Sequence, residues 1–156
     1  MKAFILALGL SLLAGCGQTQ TKPAESPAQG IRAENPNLHI ENAWAAPSPG
    51  GVDVAAGYLT IVNGANLDDQ LLRAESPRAD HVDIHEMAMQ GAVMQMRAIN
   101  ALLVPAHDQV TLSPNGRHLM FNGVKQPFRL GEHIPVDLTF AHAGKLHLTL
   151  DVRVPS

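Results

Sequence analysis

The chain has a single cysteine, Cys16, and none after it. The residues beyond Cys16 therefore cannot be stapled by disulfides, and a metal centre built on cysteine thiolate is excluded there. A blue-copper electron carrier needs such a thiolate and is excluded with it. Aromatic side chains are few: one Trp, one Tyr and four Phe among 156 residues. The 11 Lys and Arg are outnumbered by 14 Asp and Glu, for a net charge of −3. No basic stripe with interleaved aromatics is present, so nucleic-acid binding is not expected. No G-x-S-x-G elbow and no H-E-x-x-H pair occurs, which leaves serine and zinc hydrolase chemistry without a recognised motif. An enzyme is not expected.

The longest apolar run, Ala3 to Ala14, is too short to span a bilayer. It follows Lys2 and leads into Leu13-Ala14-Gly15-Cys16. This arrangement resembles a bacterial lipobox, with residues 1–15 as the lipoprotein signal peptide and Cys16 as the lipidated residue. Gly17 stands where an inner-membrane retention Asp would stand. The resemblance therefore implies a periplasmic protein anchored by lipid to the outer membrane. Residues 16–37 form the lipidated Cys and tether. Within them Gln18 to Gly30 is rich in Gln, Thr, Ser and Pro and has almost nothing to bury. Thirteen such residues span on the order of 20 Å. Residues 38–156 are the candidate folded domain, long enough for a hydrophobic core of its own.

The domain reads as strands. Leu146, Leu148, Leu150 and Val152 alternate with polar residues at period 2. Val136, Leu138 and Phe140 do the same, and Ala141 to Gly144 joins the two runs as a hairpin. Val54 to Val62 is β-branched and ends at Asn63-Gly64, and Val110 and Leu112 precede the turn Ser113-Pro114-Asn115-Gly116. Eleven prolines and 13 glycines punctuate short segments and leave little room for helices. The expected fold class is all-β: seven or eight strands in an antiparallel β-sandwich or barrel.

Into this frame the sequence sets a group of soft donors. Five of the six methionines (Met87, Met89, Met94, Met96 and Met120) lie between positions 87 and 120, interleaved with His81, His85 and His118. His85, Met96, His118 and Met120 stand in the pattern His-x10-Met-x21-His-x-Met. Neutral thioether sulfur selects Cu(I) over zinc, magnesium or calcium. Methionine supplies soft coordination in an oxidising compartment without disulfide chemistry. A hairpin turning on Gln90-Gly91 makes paired residue numbers sum to 181, placing His85 opposite Met96 and Met87 opposite Met94. Val82 and Ile84 take the core face, so His81, Asp83, His85 and Met87 turn away from the core. Leu119 and Phe121 likewise turn His118 and Met120 outward. Parity leaves open whether the two segments meet.

The motif resembles the signature of the periplasmic copper chaperone family PCu(A)C. The likeness includes His85-Glu86-Met87, Met94-Gln95-Met96-Arg97, Gly123-Val124-Lys125-Gln126-Pro127, Ala43-Trp44-Ala45 and Gly57-Tyr58-Leu59, and it runs from about Leu38 to Val152. It implies a cupredoxin-like fold and a surface Cu(I) site of His85, Met96, His118 and Met120. Met87 holds the family's optional Met position. The implied partner is the CuA domain of cytochrome c oxidase subunit II, or another copper-accepting assembly protein. Two departures stand out: Ala46 replaces the usual Arg, and no His/Met-rich tail follows Val152. A tail-based Cu(II) site is therefore not expected. Cu(II) binding through His81 stays open, as do the roles of Met89 and Met94. A rival reading keeps the same site but makes the protein a copper buffer for resistance. His39, His107, His133, His142 and His147 are read as ordinary surface histidines.

Overall fold

A computed structural model describes residues 37–91 and 93–154; the signal segment, Cys16 and the tether lie outside the described residues. The described residues hold ten strands and no helix. They are β1 (Leu38–Ala45), β2 (Val54–Asn63), β3 (Asp69–Glu75), β4 (His81–Gln90) and β5 (Val93–Ile99). Then come β6 (Leu102–Val104), β7 (Asp108–Leu112), β8 (His118–Asn122), β9 (His133–Phe140) and β10 (Lys145–Val152).

Strands β4, β8, β2, β1, β10, β9 and β3 pair in that order, and β3 returns to β4 through Ala74 and Val82. The result is a closed seven-stranded barrel, so the sheet leaves few free edges to pair with other chains. The pairing of β1 with β10 is parallel; its neighbours β1–β2 and β9–β10 are antiparallel. Strand β5 extends β4 beyond the barrel, β6 lies on the edge of β3, and β7 pairs with the far half of β2.

The core follows from period 2. Ile134, Val136, Leu138 and Phe140 of β9 and Leu146, Leu148, Leu150 and Val152 of β10 all point inward and are buried. The β9–β10 hairpin appears as expected. Its loop is held by the Asp69 carboxylate, which accepts N–H bonds from His142 (3.0 Å) and Ala143 (2.8 Å). Phe121 and Phe128 meet edge to face at 5.3 Å and are fully buried; each burial is worth about 1.5–3 kcal/mol. Gly57 lets Phe121 and Leu150 approach its backbone: an added Cβ would lie 2.9 Å from Phe121 Cε2 and 2.8 Å from Leu150 Cδ1. This packing seats β8 against β2, and β8 carries His118 and Met120.

Candidate metal centre

Strand β4 lies between β5 and β8 and sets the geometry of the site. Val82, Ile84, Leu119 and Phe121 are buried in the core, so the other parity of β4 and β8 faces out of the barrel, as expected. The two segments do meet. His85 is directly opposite His118, and Asp83 is opposite Met120. The two imidazoles lie 5.6 Å apart between ring centroids, at 66°.

The β4–β5 register differs from the expected one. Gln90 pairs with Val93, and Gly91, between them, stands at φ +66°. A left-handed conformation at the first turn position suits Gly91 and would strain Gln90, so the turn centres one residue later than expected. Paired numbers then sum to 183 rather than 181. Met87 faces Met96, Met89 faces Met94, and His85 faces Ala98. Moving the turn centre by one residue slides the pairing by two, which leaves every side chain on its expected face. Met96 and Met120 are thus the diagonal neighbours of His85, one on each flanking strand, and cross-strand diagonals are within reach of long side chains.

The two histidines differ in their surroundings. His118 faces out of the core yet is only 6% exposed. Tyr58 lies 6.4 Å from it, Trp44 packs on Tyr58 at 4.5 Å, and Arg153 stacks over Trp44 at 5.0 Å. His118 Nδ1 lies 3.2 Å from the Gly116 carbonyl. A carbonyl only accepts, so Nδ1 carries a proton, which leaves Nε2 as the nitrogen through which the neutral ring can ligate. His85 Nδ1 is buried and has no hydrogen-bond partner, while Nε2 is 3.9 Å from Asp83 Oδ2. Burial lowers the His85 pKa below the usual imidazole value, His118 lowers it further, and Asp83 opposes both. A neutral ring with an unsatisfied buried nitrogen suits a metal ion better than a proton.

The opposite face of the hairpin carries a clamp. Glu86 Oε2 accepts from Arg97 Nη2 at 3.0 Å, and Glu86 Oε1 accepts from Arg117 Nη2 at 2.9 Å and Nε at 3.0 Å. Arg97 stands on β5 and Arg117 immediately precedes β8, so one carboxylate ties both flanking segments to β4. These two partners, Arg97 first, hold the Glu86 carboxyl below its ordinary 4.5. Sequence reading missed this clamp and the Trp44–Tyr58 cover. The strings Glu86-Met87 and Met96-Arg97 contain the only signal for the clamp.

His81 stands apart. It pairs with Asn122, four residues along β4 from His85. It lines an open cleft of about 620 Å³ with Glu75, Asp80 and Asp137. Asp83 Oδ2 approaches His81 Nε2 at 3.5 Å and accepts from Asn122 Nδ2 at 3.1 Å. Among the described residues no three His, Cys, Asp or Glu side chains gather as a metal site. His39, His133 and His147 sit in surface pairs with Glu41, Asp151 and Asp137.

The family described as "Putative lipoprotein LpqE-like" matches residues 38–152. The chain is 26% identical over 154 residues to "Putative lipoprotein Lxx21020" of Leifsonia xyli subsp. xyli (strain CTCB07), covering 98% of this chain and 89% of that one. Its fold resembles a copper-bound PCuAC domain from PmoF2 at TM-score 0.67 and 24% identity, covering 81% of this chain and all of that one. It also resembles the solution structure of CuI-DR1885 from Deinococcus radiodurans at TM-score 0.62 and 25% identity, with 76% and 79% covered. The all-β barrel is thus the cupredoxin-like fold of PCuAC domains, and the chain belongs to the LpqE-like family, related to them.

Proposed function

We propose that this chain is an exported copper chaperone that binds Cu(I) through His85, Met96, His118 and Met120. The observation that carries the reading is the His85–His118 pair, with one Nδ1 satisfied by a carbonyl and the other buried without a partner. The thioethers of Met96 and Met120 flank this pair on the same face. Cu(I) binding is supported by the copper-bound neighbours of the same fold. Two neutral imidazoles and two neutral thioethers leave a bound Cu(I) at a net charge of about +1, which is disfavoured by deep burial. Met96 is half exposed, at 50%, so an incoming ligand can displace it first.

The chemistry proposed is ligand exchange. Copper stays Cu(I); an acceptor thiolate replaces a thioether, and each new Cu–S bond releases one old one. Thiolate is the stronger donor, so transfer runs towards a Cys-containing acceptor such as the CuA domain of cytochrome c oxidase subunit II. Residues 1–15 as signal peptide, lipid on Cys16 and residues 16–37 as tether complete the proposal, and they place the domain at a membrane surface, the outer membrane by the residue after Cys16. The lipoprotein descriptions of the family and of its Leifsonia relative support the anchor.

The deciding experiment mixes the Cu(I)-loaded protein with a reduced, metal-free CuA domain and follows copper on both. Transfer that is lost in a His85→Ala/Met96→Leu variant supports delivery. Tight Cu(I) binding with no transfer to the dithiol would overturn delivery and favour copper buffering.

A further inference from the structure

We infer that Met89 and Met94 form a second Cu(I)-binding position at the tip of the β4–β5 hairpin, outside the histidine pair. That the ion is Cu(I) rests on the function proposed above. The two methionines are directly opposed in the ladder, so their Cβ atoms are roughly 4.5–5.5 Å apart. The next rung towards His85 is also a methionine pair, Met87 with Met96. Both rungs have the parity of His85 and present their side chains on the same face. Four thioethers therefore line one surface from the turn to the imidazoles.

This surface is poorly explained as packing. Met89 is 62% exposed and Met94 53% exposed. Strand β5 lies outside the barrel, with β4 as its neighbour. Exposed strand positions favour Thr, Val or aromatic residues, and methionine has no special strand preference. The reverse parity of β5 carries Gln95 and the clamped Arg97, so methionine is confined to the face of the histidines. Each methionine side chain has three rotatable bonds, which lets two opposed sulfurs turn towards a common point. Met87, on the next rung and outside the four proposed inner ligands, supplies a further thioether. A site of thioethers alone takes a soft monovalent cation and rejects zinc and magnesium. Without an imidazole it binds more weakly than the inner site. It is also the first donor group an ion arriving at the hairpin tip would meet.

The test titrates Ag(I), a redox-inert probe for Cu(I), into the exported chain labelled at its methionine methyl groups. Cys16→Ser is included to remove the competing thiolate. The first equivalent is expected to shift the Met96 and Met120 methyls, and the second those of Met89 and Met94. A Met89→Leu/Met94→Leu variant, which keeps the apolar surface, should lose the second step and keep the first. Saturation of the wild type at one equivalent with the Met89 and Met94 methyls unmoved overturns the inference. So does a second step that survives in the double variant. If the first equivalent instead shifts Met89 and Met94 and leaves Met96 and Met120 unmoved, the inner site fails and the tip site stands.

Discussion

His85 and His118 face each other across the β4–β8 ladder with ring centroids 5.6 Å apart, and only His118 has its Nδ1 engaged, by the Gly116 carbonyl. His85 Nδ1 is buried and unpartnered. Such a group is destabilising by about 1–3 kcal/mol unless something binds it. On the proposed assignment, a metal ion bound at His85 would relieve this cost and stabilise the folded state. Binding to the folded state alone stabilises by RT ln(1 + [L]/Kd). Unfolding followed with and without one equivalent of Cu(I) should give a clear upward shift in midpoint, and that shift should shrink in His85→Ala.

The pH response follows from the sign of the His85 shift. Its folded pKa lies below the ordinary 6.5, first through burial, then through His118, with Asp83 opposing. The unfolded chain therefore takes up this proton first as pH falls. Stability from His85 is complete above about 6.5, declines as pH drops towards the lowered folded value, and then levels off. Cu(I) affinity should be nearly flat from pH 8 to 7 and fall below the ordinary imidazole range. Asp83→Asn removes the one opposing charge and should move the fall to still lower pH. Cu(I) competition between pH 8 and 5 checks this; an affinity unchanged at pH 5 would contradict histidine ligation.

Met96 and Met120 provide the complementary case. Met96 is exposed and Met120 half-buried, so Met→Leu at either site is a volume-conserving change worth under about 1.5 kcal/mol of stability. Removing a ligand sulfur should weaken Cu(I) by about tenfold or more, each tenfold being about 1.4 kcal/mol. Met87 is directly opposite Met96 and can substitute for it, so Met96→Leu should be the milder variant and Met87→Leu/Met96→Leu the more severe. Equal Cu(I) affinity in the wild type, Met120→Leu and the double variant would remove the thioethers from the site.

Glu86 holds the two strands of donors in place. Its lowered pKa means that its ion pairs contribute above about pH 4.5 and are lost as pH falls through the lower folded value. The clamp is partly exposed, so Glu86→Gln should cost about 1 kcal/mol or less at neutral pH. Cu(I) affinity should fall more than stability, because Met96 on β5 and His118 on β8 lose their common tie to β4. A variant with weaker folding but unaltered Cu(I) affinity would make the clamp purely structural.

Period-2 alternation made most of the barrel legible in the sequence. Two of the strands it did not reveal, β1 and β3, carry register shifts: Glu41 to Trp44 in β1, with Asn42 at φ +50°, and Leu71 to Arg73 in β3. A bulge inserts one residue and breaks the alternation that identifies a strand. The third, β6, has three residues, too few for a period. At the site, parity was sufficient for the faces of His85, Met87, His118 and Met120. The facing of His85 by His118 was not legible, because it depends on β4 and β8 being neighbours across 33 positions. The β4–β5 register was misread by two because Gly91 opens the turn rather than sitting at its second position.

Gly57 tests how far the site depends on the core beneath it. A Cβ there would overlap Leu150 and Phe121, at 2.8 and 2.9 Å. Both partners are completely buried, so neither can withdraw freely, and Gly57→Ala should destabilise by about 1–3 kcal/mol. Phe121 lies between Met120 and Asn122 on β8 and pairs with Ala55, while Leu119 pairs with Gly57 itself. Relief of the overlap is expected to displace Phe121 and, with it, β8 and its donors His118 and Met120. The expected result is a loss of stability together with a loss of Cu(I) affinity, although residue 57 bears no donor atom. Denaturant unfolding and Cu(I) competition on the same preparation would check it. Unchanged affinity in a destabilised variant would mean that β8 holds its donors independently of the packing below.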